Sequence, residues 1–389
     1  MKVLFVVNNF YIKGNGLSAS AQRTVSHLRS RGLEVEVLSA KNPVEGEEEP
    51  KFSLENLKIP VFDKLVRSQG YIFAKEDEMT IEKAVKWADI IHLEEPFFLQ
   101  MKVAKVARRL NKPCVGTYHL HPENLYASIN MEKNFVLNDS TMLMWRNTVF
   151  NKCVIVQCPT YNVKERLLRW KFKARLKVIT NGLAREALSS KKEVKEEKLS
   201  DSKYTVITIG RHSKEKDPIT LLRSMKYSKY NKDIQLLFLG RGPKTGELEK
   251  YANKLVEKGI IKYPPIFKFC TLDELQAITA ASDLYIHLAY IEVEGLSCLE
   301  AIQMGVVPII AKYKYSATSQ FALNEMSKFK ARNAKDLASK IDYWLSDDER
   351  RKKEAKKYRI YNKEYDIEKS IDEIISMYQE ALDIYYKRK

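Results

Sequence analysis

The chain has 389 residues, of which 44% are hydrophobic and 10% aromatic, which suits two globular domains and excludes a largely disordered protein. Lysine and arginine number 67 against 50 acidic residues, giving a formal charge of +17. This charge predicts attraction to phosphate-bearing substrates, an anionic membrane surface or nucleic acid; a solvated basic surface without a partner is the alternative.

The first strand pattern begins at Met1 and lacks the basic, apolar and small-residue segments of a signal peptide. No run of ~18 apolar residues follows, and the five cysteines are odd in number without metal-ligand spacing. We therefore expect a cytoplasmic protein with reduced thiols, on the inner side of the membrane.

Strand and helix patterns alternate through the first half of the chain. Strands are predicted at KVLFVVN, LEVEVLS, DIIHL, KPCVGTYH, KCVIVQC and LKVIT, and helices at 18–31, 81–86, 97–109, 161–170 and in an apolar-rich region that ends at Phe150. Because parallel strands need crossover helices, residues 1–183 are predicted to form a Rossmann-like domain.

A charged stretch, SSKKEVKEEKLSDSK, predicts a linker over residues 184–203. A second alternating series follows over residues 204–365, with strands at YTVITIG, IQLLFLG, GIIKYPPIF, DLYIHLA and VVPIIA. Residues 366–389 have the apolar spacing of a helix that either packs on one domain or crosses to the other. The predicted fold class is therefore α/β, with two tandem Rossmann-like domains that bind ligands in the cleft between them.

Two groups of charged residues follow strand patterns in the second half. Glu292 and Glu300 bracket a glycine in EVEGLSCLE, where a helix beginning at Gly295 suits a phosphate and carboxylates suit sugar hydroxyls. Arg211 and Lys216 in GRHSKEKD are suited to neutralising a diphosphate. Ordinary solvent-facing side chains are the alternative for each group taken alone.

The ordered motifs ITNGL, GRHSKEKD, LFLGRGP, DELQAI and EVEGLSCLEAIQMGVVPII resemble the retaining glycosyltransferases of family four, which have the GT-B fold. The resemblance covers nearly the whole chain and is closest to bacterial diacylglycerol-type lipid glycosyltransferases. It implies that the donor, a nucleotide diphosphate sugar, is bound by Gly210, Arg211, Lys216, Glu292, Gly295, Leu296 and, at the ribose, Glu300. No metal or cofactor is then expected, because the cations replace it.

In the first half, the loop NNFYIKGNGLSAS resembles the family's glycine loop, with Gly16 as the donor-binding candidate and an ordinary flexible turn as the alternative. His119, in VGTYH, matches the family's histidine near the reacting sugar carbon, and His121 is a second candidate. The expected catalytic residues are His119, Arg211, Lys216 and Glu292, with no general base assigned.

The chain departs from the family pattern at Arg241 and in KYKYSATSQF. These departures leave the donor sugar open, with UDP-glucose or UDP-galactose expected from the frequency of uridine donors in the family.

The acceptor is predicted from basic and aromatic residues in the first half. A membrane surface or lipid acceptor would contact Arg166, Arg169, Trp170, Lys171, Phe172 and Lys173, together with His121 and Trp145. A core-facing helix followed by an edge strand is the alternative for this stretch.

The predicted function is retaining hexosyl transfer to a membrane lipid such as diacylglycerol or a glycolipid. One alternative is a soluble, polysaccharide or polyprenyl-linked acceptor in cell-envelope glycan synthesis, and another is a non-catalytic polyanion-binding protein. No nucleic-acid partner is expected, because helix-turn-helix, zinc and RNP-like patterns are missing from the sequence.

Overall fold

The computed structural model describes residues 1–12, 16–42, 44, 48–58, 71–183 and 201–387. Most of the predicted linker, residues 184–200, lies outside the described residues, as do residues 13–15 of the glycine loop. The chain divides into two compact units, of which the first comprises residues 1–122, 133–181 and 368–389 and the second comprises residues 123–132 and 182–367. Residues 123–132, assigned from sequence to the first domain, therefore belong to the second unit.

In its described part, the first unit contains a sheet of seven parallel strands. In spatial order they are Phe52–Leu54, Glu34–Ala40, Lys2–Val6, Ile90–Leu93, Cys114–Thr117, Ile155–Cys158 and Arg175–Val178. The helices are Gly16–Ser30, Glu78–Trp87, Phe98–Arg109, Phe135–Thr148, Tyr161–Arg169 and Ile367–Lys387, and a 3₁₀ turn covers Phe150–Lys152. The short helix Pro122–Ala127 belongs, from Glu123 onward, to the second unit. A short antiparallel pair joins Asn56–Leu57 to Phe73–Ala74.

The described part of the second unit contains a sheet of six parallel strands. In spatial order they are Ile266–Lys268, Ile234–Leu239, Tyr204–Ile209, Leu284–His287, Val307–Lys312 and Lys328–Lys330. The helices are Ile219–Ser224, Thr245–Glu257, Leu272–Ala280, Leu296–Gln303, Ala334–Leu345 and Asp348–Tyr361, and 3₁₀ turns cover Thr318–Phe321, Glu325–Ser327 and Asn362–Tyr365.

In both sheets the spatial order of the strands reverses at the first strand, which confirms the predicted Rossmann-like topology. In each sheet the third, second and first strands lie side by side, and the later strands continue on the other side of the first. Val206, for example, aligns with Leu236 on one side and Leu284 on the other. Such a switch point opens a crevice at the carboxyl ends of the strands, where ligands bind in folds of this class.

The central strands are apolar throughout because helices cover both faces of a parallel sheet. Val3, Leu4, Phe5 and Val6 are all fully buried, as are Ile207 and Leu237 in the second unit. The predicted strand GIIKYPPIF is shortened to Ile266–Lys268. Proline lacks the N–H that a ladder requires, so the pairing begins only after Pro265.

The C-terminal helix Ile367–Lys387 packs within the first unit from Glu368 onward. Glu368 accepts a hydrogen bond from Arg31, and Glu380 lies 2.6 Å from Arg175. The helix buries Ile371, Ile374, Met377, Tyr378 and Ala381 along one stripe, as the apolar spacing predicts.

Among the described helices, none combines the length and hydropathy required to span a lipid bilayer.

Candidate active site

The two charged motifs of the second unit lie at the switch point of its sheet. Gly210 to Asp217 follow the strand Tyr204–Ile209, and Leu288 to Gly295 follow the neighbouring strand Leu284–His287. Because parallel strands end at the same edge of a sheet, Lys216 and Glu292 meet there although they are 76 positions apart in sequence.

The loop after the first strand packs backbone against backbone on its neighbour. A Cβ atom added at Gly240 would lie 2.0 Å from the carbonyl oxygen of Gly210, and the His212 N–H donates to the Arg241 carbonyl at 3.1 Å. Further along, Asp217 has a φ of 48° and accepts a hydrogen bond from the Thr220 hydroxyl at 2.6 Å. Glycine is therefore required at position 240, and the turn at Asp217 fixes the backbone beside Lys216.

Arg211 is held by a buried carboxylate within its own loop. Its Nη2 lies 2.8 Å from Oε1 of Glu215, which also accepts a hydrogen bond from the Ser213 hydroxyl at 2.6 Å. The carbonyl of Glu215 in turn accepts from the backbone N–H of Tyr290, in the second loop. These contacts orient the guanidinium while leaving it partly exposed.

Lys216 makes a direct ion pair with Glu292. Burial raises the pKa of the Glu292 carboxyl, but the charge of Lys216 and its hydrogen bond outweigh burial and hold this pKa below its usual value. The glutamate beside Lys216 is therefore ionised near neutral pH.

Glu292 is fixed by a small parallel ladder in which Ile291–Glu292 pairs with Tyr315–Ser316, part of the KYKYSATSQF departure. Gly295 has a φ of 89°, and a Cβ atom there would lie 2.4 Å from Oγ1 of Thr318, so only glycine fits. The helix Leu296–Gln303 then begins without a side-chain cap, so its first turn can donate N–H groups to an anion. Glu300 lies on this helix, slightly more than one turn from its start.

His287 joins the same strand edge, although sequence analysis did not select it. The residue is buried, and its Nδ1 lies 2.9 Å from the Tyr285 hydroxyl. Its Nε2 lies 3.8 Å from Oε2 of Glu292. Burial lowers the pKa of His287 to about 4, so the ring is neutral near pH 7.

In the first unit, His119 follows the strand Cys114–Thr117 and pairs with a buried carboxylate. Nε2 of His119 lies 2.7 Å from Oε2 of Glu94, whose Oε1 lies 3.0 Å from Nε2 of His92. Nδ1 of His92 lies 2.6 Å from the Tyr378 hydroxyl on the C-terminal helix. Burial raises the pKa of Glu94, but the two imidazoles outweigh burial and hold it far below its usual value.

The neighbouring Glu95 has a structural role. Its carboxylate accepts hydrogen bonds from the Asn8 backbone N–H at 2.6 Å, the Asn8 side chain at 2.9 Å and Gln100 at 2.9 Å. Burial raises the pKa of Glu95, in contrast to Glu94. This network fixes the end of the first strand.

His121 is a core histidine, which corrects its expected role at an acceptor or membrane surface. The ring is 0% exposed, and Nδ1 lies 3.1 Å from the Tyr118 hydroxyl. Burial, reinforced by the charge of Arg166, holds the pKa of His121 well below its usual value.

Gly16 begins the helix Gly16–Ser30, and a Cβ atom added there meets nothing within 4 Å. The surrounding chain therefore does not require glycine at this position, and a contact with the donor stays a prediction.

Three of the expected membrane-facing side chains are buried instead. Trp145 is 1% exposed and packs edge-on against Phe97 at 6.0 Å, while Phe172 packs against Phe150 at 5.7 Å. Arg166 is also buried. Trp145 and Arg166 lie on the inner faces of the helices Phe135–Thr148 and Tyr161–Arg169, and Phe172 follows the second helix. All three are buried, so none of them can reach a membrane surface in this structure.

Other residues of the same region are on the surface. Arg169, Lys171 and Lys173 are exposed, Trp170 is half-buried, and its carbonyl accepts a hydrogen bond from Arg146 at 2.9 Å. Lys173 also lines a cavity of ≈ 580 Å³. The exposed apolar residues of this region include Phe135, Val136, Leu143 and Met144 on the helix Phe135–Thr148, and Tyr161 and Leu168 on the helix Tyr161–Arg169.

Sequence reasoning missed Glu94, Glu215 and His287. Glu215 lies four residues after Arg211 inside a motif that was recognised, and His287 is a polar residue at the end of an apolar strand. Each of these two positions could have indicated a site residue from the sequence. Across the described ranges, no three His, Cys, Asp or Glu side chains are grouped as metal ligands would be, and the expectation of a metal-free reaction stays a prediction.

Two family profiles match almost all of the chain. The profile "Glycosyltransferase Family 4" matches residues 14–186, and "Glycosyl transferases group 1" matches residues 189–365. The α-monoglucosyldiacylglycerol synthase of Streptococcus pneumoniae (strain ATCC BAA-255 / R6) is 23% identical over 322 residues, covering 80% of this chain and 71% of that protein.

Two solved structures resemble the chain over its whole length. HepE from Anabaena, in complex with UDP and glucose, has a TM-score of 0.71 at 15% identity, covering 98% of this chain and 100% of HepE. Sucrose-phosphate synthase from Thermosynechococcus elongatus has a TM-score of 0.74 at 15% identity, covering 97% and 98%. At these identities the two likenesses establish the fold.

Proposed function

Because this chain belongs to glycosyltransferase family 4 and has the GT-B fold, we propose that it transfers a hexose, with retention of configuration, from a nucleotide diphosphate sugar to a membrane lipid. The donor is UDP-glucose or UDP-galactose, and the acceptor is diacylglycerol or a glycolipid. The enzyme acts as a peripheral protein on the cytoplasmic face of the membrane. The UDP and glucose bound to HepE support the donor, and the name of the Streptococcus pneumoniae relative supports the acceptor.

One observation carries the donor assignment, namely the contact of Lys216 with Glu292 beside the helix that begins at Leu296. An ammonium group neutralises diphosphate charge, a carboxylate accepts hydrogen bonds from sugar hydroxyls, and the first turn of a helix donates N–H groups to phosphate oxygens. A nucleotide diphosphate sugar needs all three properties, and they occur together at one strand edge.

In the proposed reaction, the bond between sugar C1 and the β-phosphate oxygen breaks while the acceptor oxygen bonds to C1 on the same face. The acceptor proton passes to the departing phosphate oxygen, so the protein supplies no nucleophile or base. Arg211 and Lys216 stabilise the negative charge that develops on the diphosphate. His119 contacts the sugar near C1, and Glu300 holds the ribose.

The helix Phe135–Thr148 supports a lipid acceptor because it has apolar residues on both of its faces. Met142 and Trp145 are buried, whereas Phe135 is 73% and Val136 57% exposed. Exposed apolar groups, together with the exposed cations Arg169, Lys171 and Lys173 of the same unit, suit an anionic membrane, where each lysine or arginine contributes roughly 1 kcal/mol to binding.

The test of transfer is incubation with radiolabelled UDP-glucose or UDP-galactose and total membrane lipids. We expect label in the organic phase with the wild type, and none with Lys216→Ala or Glu292→Ala. Lys244→Ala is the matched control because Lys244 is a partly exposed lysine whose ion pair is with Glu247, in the first turn of the helix Thr245–Glu257. Full transfer by Lys216→Ala or Glu292→Ala would contradict the site.

The labelled product separates the alternative acceptors. Label confined to the water phase would replace the lipid by a soluble or polysaccharide acceptor. Organic-phase label that mild acid releases would indicate a polyprenyl phosphate acceptor, because glycosyl phosphate esters are acid-labile and glycosyl diacylglycerols are not. No transfer with any donor would leave a non-catalytic polyanion-binding protein.

Vesicle flotation tests the membrane surface. We expect binding to phosphatidylglycerol vesicles that weakens about fivefold for each of Lys171→Gln and Lys173→Gln, and that falls further in Val136→Glu. Leu272→Glu is the matched control, since Leu272 is equally exposed but lies in the second unit. Equal losses in Leu272→Glu and Val136→Glu would contradict this surface.

A further inference from the structure

His287 presents a buried nitrogen to the donor site. The residue is 4% exposed at the end of the strand Leu284–His287. Nδ1 is engaged by the Tyr285 hydroxyl, which also lies 3.0 Å from Oγ of Ser297. Nε2 has no hydrogen-bond partner within the part of the chain that the structure describes.

The surroundings of Nε2 define what can bind it. Oε2 of Glu292 is 3.8 Å away, and this oxygen also receives Lys216. One oxygen atom can lie within hydrogen-bond distance of both Nε2 and Oε2, because two contacts of about 2.8 Å span a gap of 3.8 Å.

The charge of the two groups selects the chemistry of that oxygen. The imidazole is neutral and the carboxylate is ionised, so neither group attracts a phosphate oxygen, and the ammonium group of Lys216 beside them is already paired with the carboxylate. When the Tyr285 hydroxyl donates to Nδ1, the neutral ring carries its proton on Nε2, so a ligand hydroxyl group accepts from Nε2–H and donates its own proton to the carboxylate. The pair therefore suits a hydroxyl rather than an anion.

We infer that His287, together with Glu292, binds a hydroxyl group of the donor's sugar and takes part in selecting which sugar is transferred. This inference rests on the proposed function and adds a residue that recognises the sugar. Arg211, Lys216 and the start of the helix at Leu296 bind the diphosphate, which every donor with the same nucleotide shares.

His212 provides a contrast within the same unit. It is also buried, with Nδ1 2.9 Å from the Thr245 hydroxyl and Nε2 without a partner among the described residues. Its ring packs edge-on against Phe238 and Phe267, at 6.2 and 6.0 Å. No carboxylate pairs with His212 in the described structure, so an unpartnered buried nitrogen alone does not define a sugar site.

Two amide substitutions separate sugar binding from a structural role. In His287→Gln the amide reaches the position of Nε2, whereas in His287→Asn it reaches only the position of Nδ1, beside Tyr285. A structural role is served better by asparagine, and sugar binding is served better by glutamine. The Kd values for UDP-glucose, UDP-galactose and UDP are measured by calorimetry on each variant, with unfolding temperatures in parallel.

We expect His287→Asn to weaken binding of the preferred UDP-sugar about fivefold or more, with the Kd for UDP within twofold of wild type. His287→Gln should bind the UDP-sugar more tightly than His287→Asn, even if it unfolds at a lower temperature. His212→Asn is the matched control and should leave the ratio of the UDP-sugar and UDP affinities unchanged.

An unchanged ratio in His287→Asn, or an equal loss of UDP and UDP-sugar affinity, would overturn the role of His287 while leaving the proposed function intact. If His287→Asn fails to fold, the ratio of the Kd values for UDP-glucose and UDP-galactose is compared between His287→Gln and the wild type. A changed ratio supports the inference, because the amide alters the contact with the sugar hydroxyl, and an unchanged ratio overturns it. A wild-type protein that binds UDP but neither UDP-glucose nor UDP-galactose would overturn the proposed donor. It would also overturn the proposed contact of His287 with the donor's sugar.

Discussion

Oε2 of Glu94 lies 2.7 Å from Nε2 of His119, and both side chains are largely buried in the first unit. A carboxylate in this position fixes the ring orientation of the histidine. His119 is therefore held in one rotation before any ligand arrives.

Glu94→Gln should lower kcat about 10- to 100-fold, because a hydrogen bond to a charged group contributes about 1.5–3 kcal/mol. Steady-state kinetics at saturating donor measure this loss, with circular dichroism to verify the fold. A Glu94→Gln enzyme with wild-type kcat would show that His119 does not depend on this partner.

Substitutions at the Lys216–Glu292 pair should separate folding stability from activity. Lys216→Met leaves the Glu292 carboxylate without its main partner and should lower the unfolding temperature, whereas the double variant Lys216→Met with Glu292→Gln should recover most of that loss. Coupling between contacting residues of this kind is about 0.5–3 kcal/mol. Transfer should stay abolished in both variants, and recovered activity in the double variant would argue against charge at this pair.

Gly240→Ala should destabilise the second unit by several kcal/mol, because its Cβ atom would lie 2.0 Å from the Gly210 carbonyl oxygen in a backbone with φ of 153°. Gly246→Ala is the control, since nothing lies within 4 Å of a Cβ atom at that helical position. This change should be neutral or add up to about 1 kcal/mol. Thermal unfolding measures both, and equal unfolding temperatures would contradict the close approach of the two loops.

Asp217 should make folding stability depend on pH. Burial raises the pKa of Asp217 to about 6 from its ordinary value of 3.8. The folded chain then holds this proton after the unfolded chain has released it, so the free energy of unfolding falls as pH rises from about 4 to about 6. The loss reaches about 3 kcal/mol, at 1.36 kcal/mol per pKa unit.

Asp217→Asn stays neutral at every pH and keeps an acceptor for the Thr220 hydroxyl. The stability difference between variant and wild type should therefore grow between pH 4 and 6 and level off above pH 7, as measured by urea unfolding. A difference that does not change with pH would place the pKa of Asp217 near its ordinary value.

Sequence patterns predict the long elements well, because a strand buried on both faces must be apolar along its whole length. KVLFVVN and IQLLFLG satisfy this condition, and both form central strands. The edge strands Phe52–Leu54 and Lys328–Lys330 have three residues each, too few to establish any period. Their pairing is decided by neighbours that are distant in sequence.

The contacts of the site depend on three-dimensional proximity that spacing does not encode. The family resemblance selects Lys216 and Glu292, and the structure brings them into contact. Nothing local to Glu94 distinguishes it from Glu95, because their opposite roles come from His119 on one side and Asn8 on the other. The sequence predicts Trp145 at an acceptor or membrane surface because it lies in an unusually apolar stretch, and the apolar residues of that stretch fall on both faces of the helix, so the sequence does not show which face is buried.

Residues 123–132 belong to the second unit, although they directly follow the strand and histidines of the first. Glu132 is buried in that unit and pairs with Lys214 at 2.9 Å. Lys214 belongs to the same loop as Arg211 and Lys216. Chimaeric enzymes that exchange donor halves through one crossover near residue 182 would separate Glu132 from its cation. A working exchange needs additional junctions around residues 123–132 and near 368, so that each half takes all of its own segments.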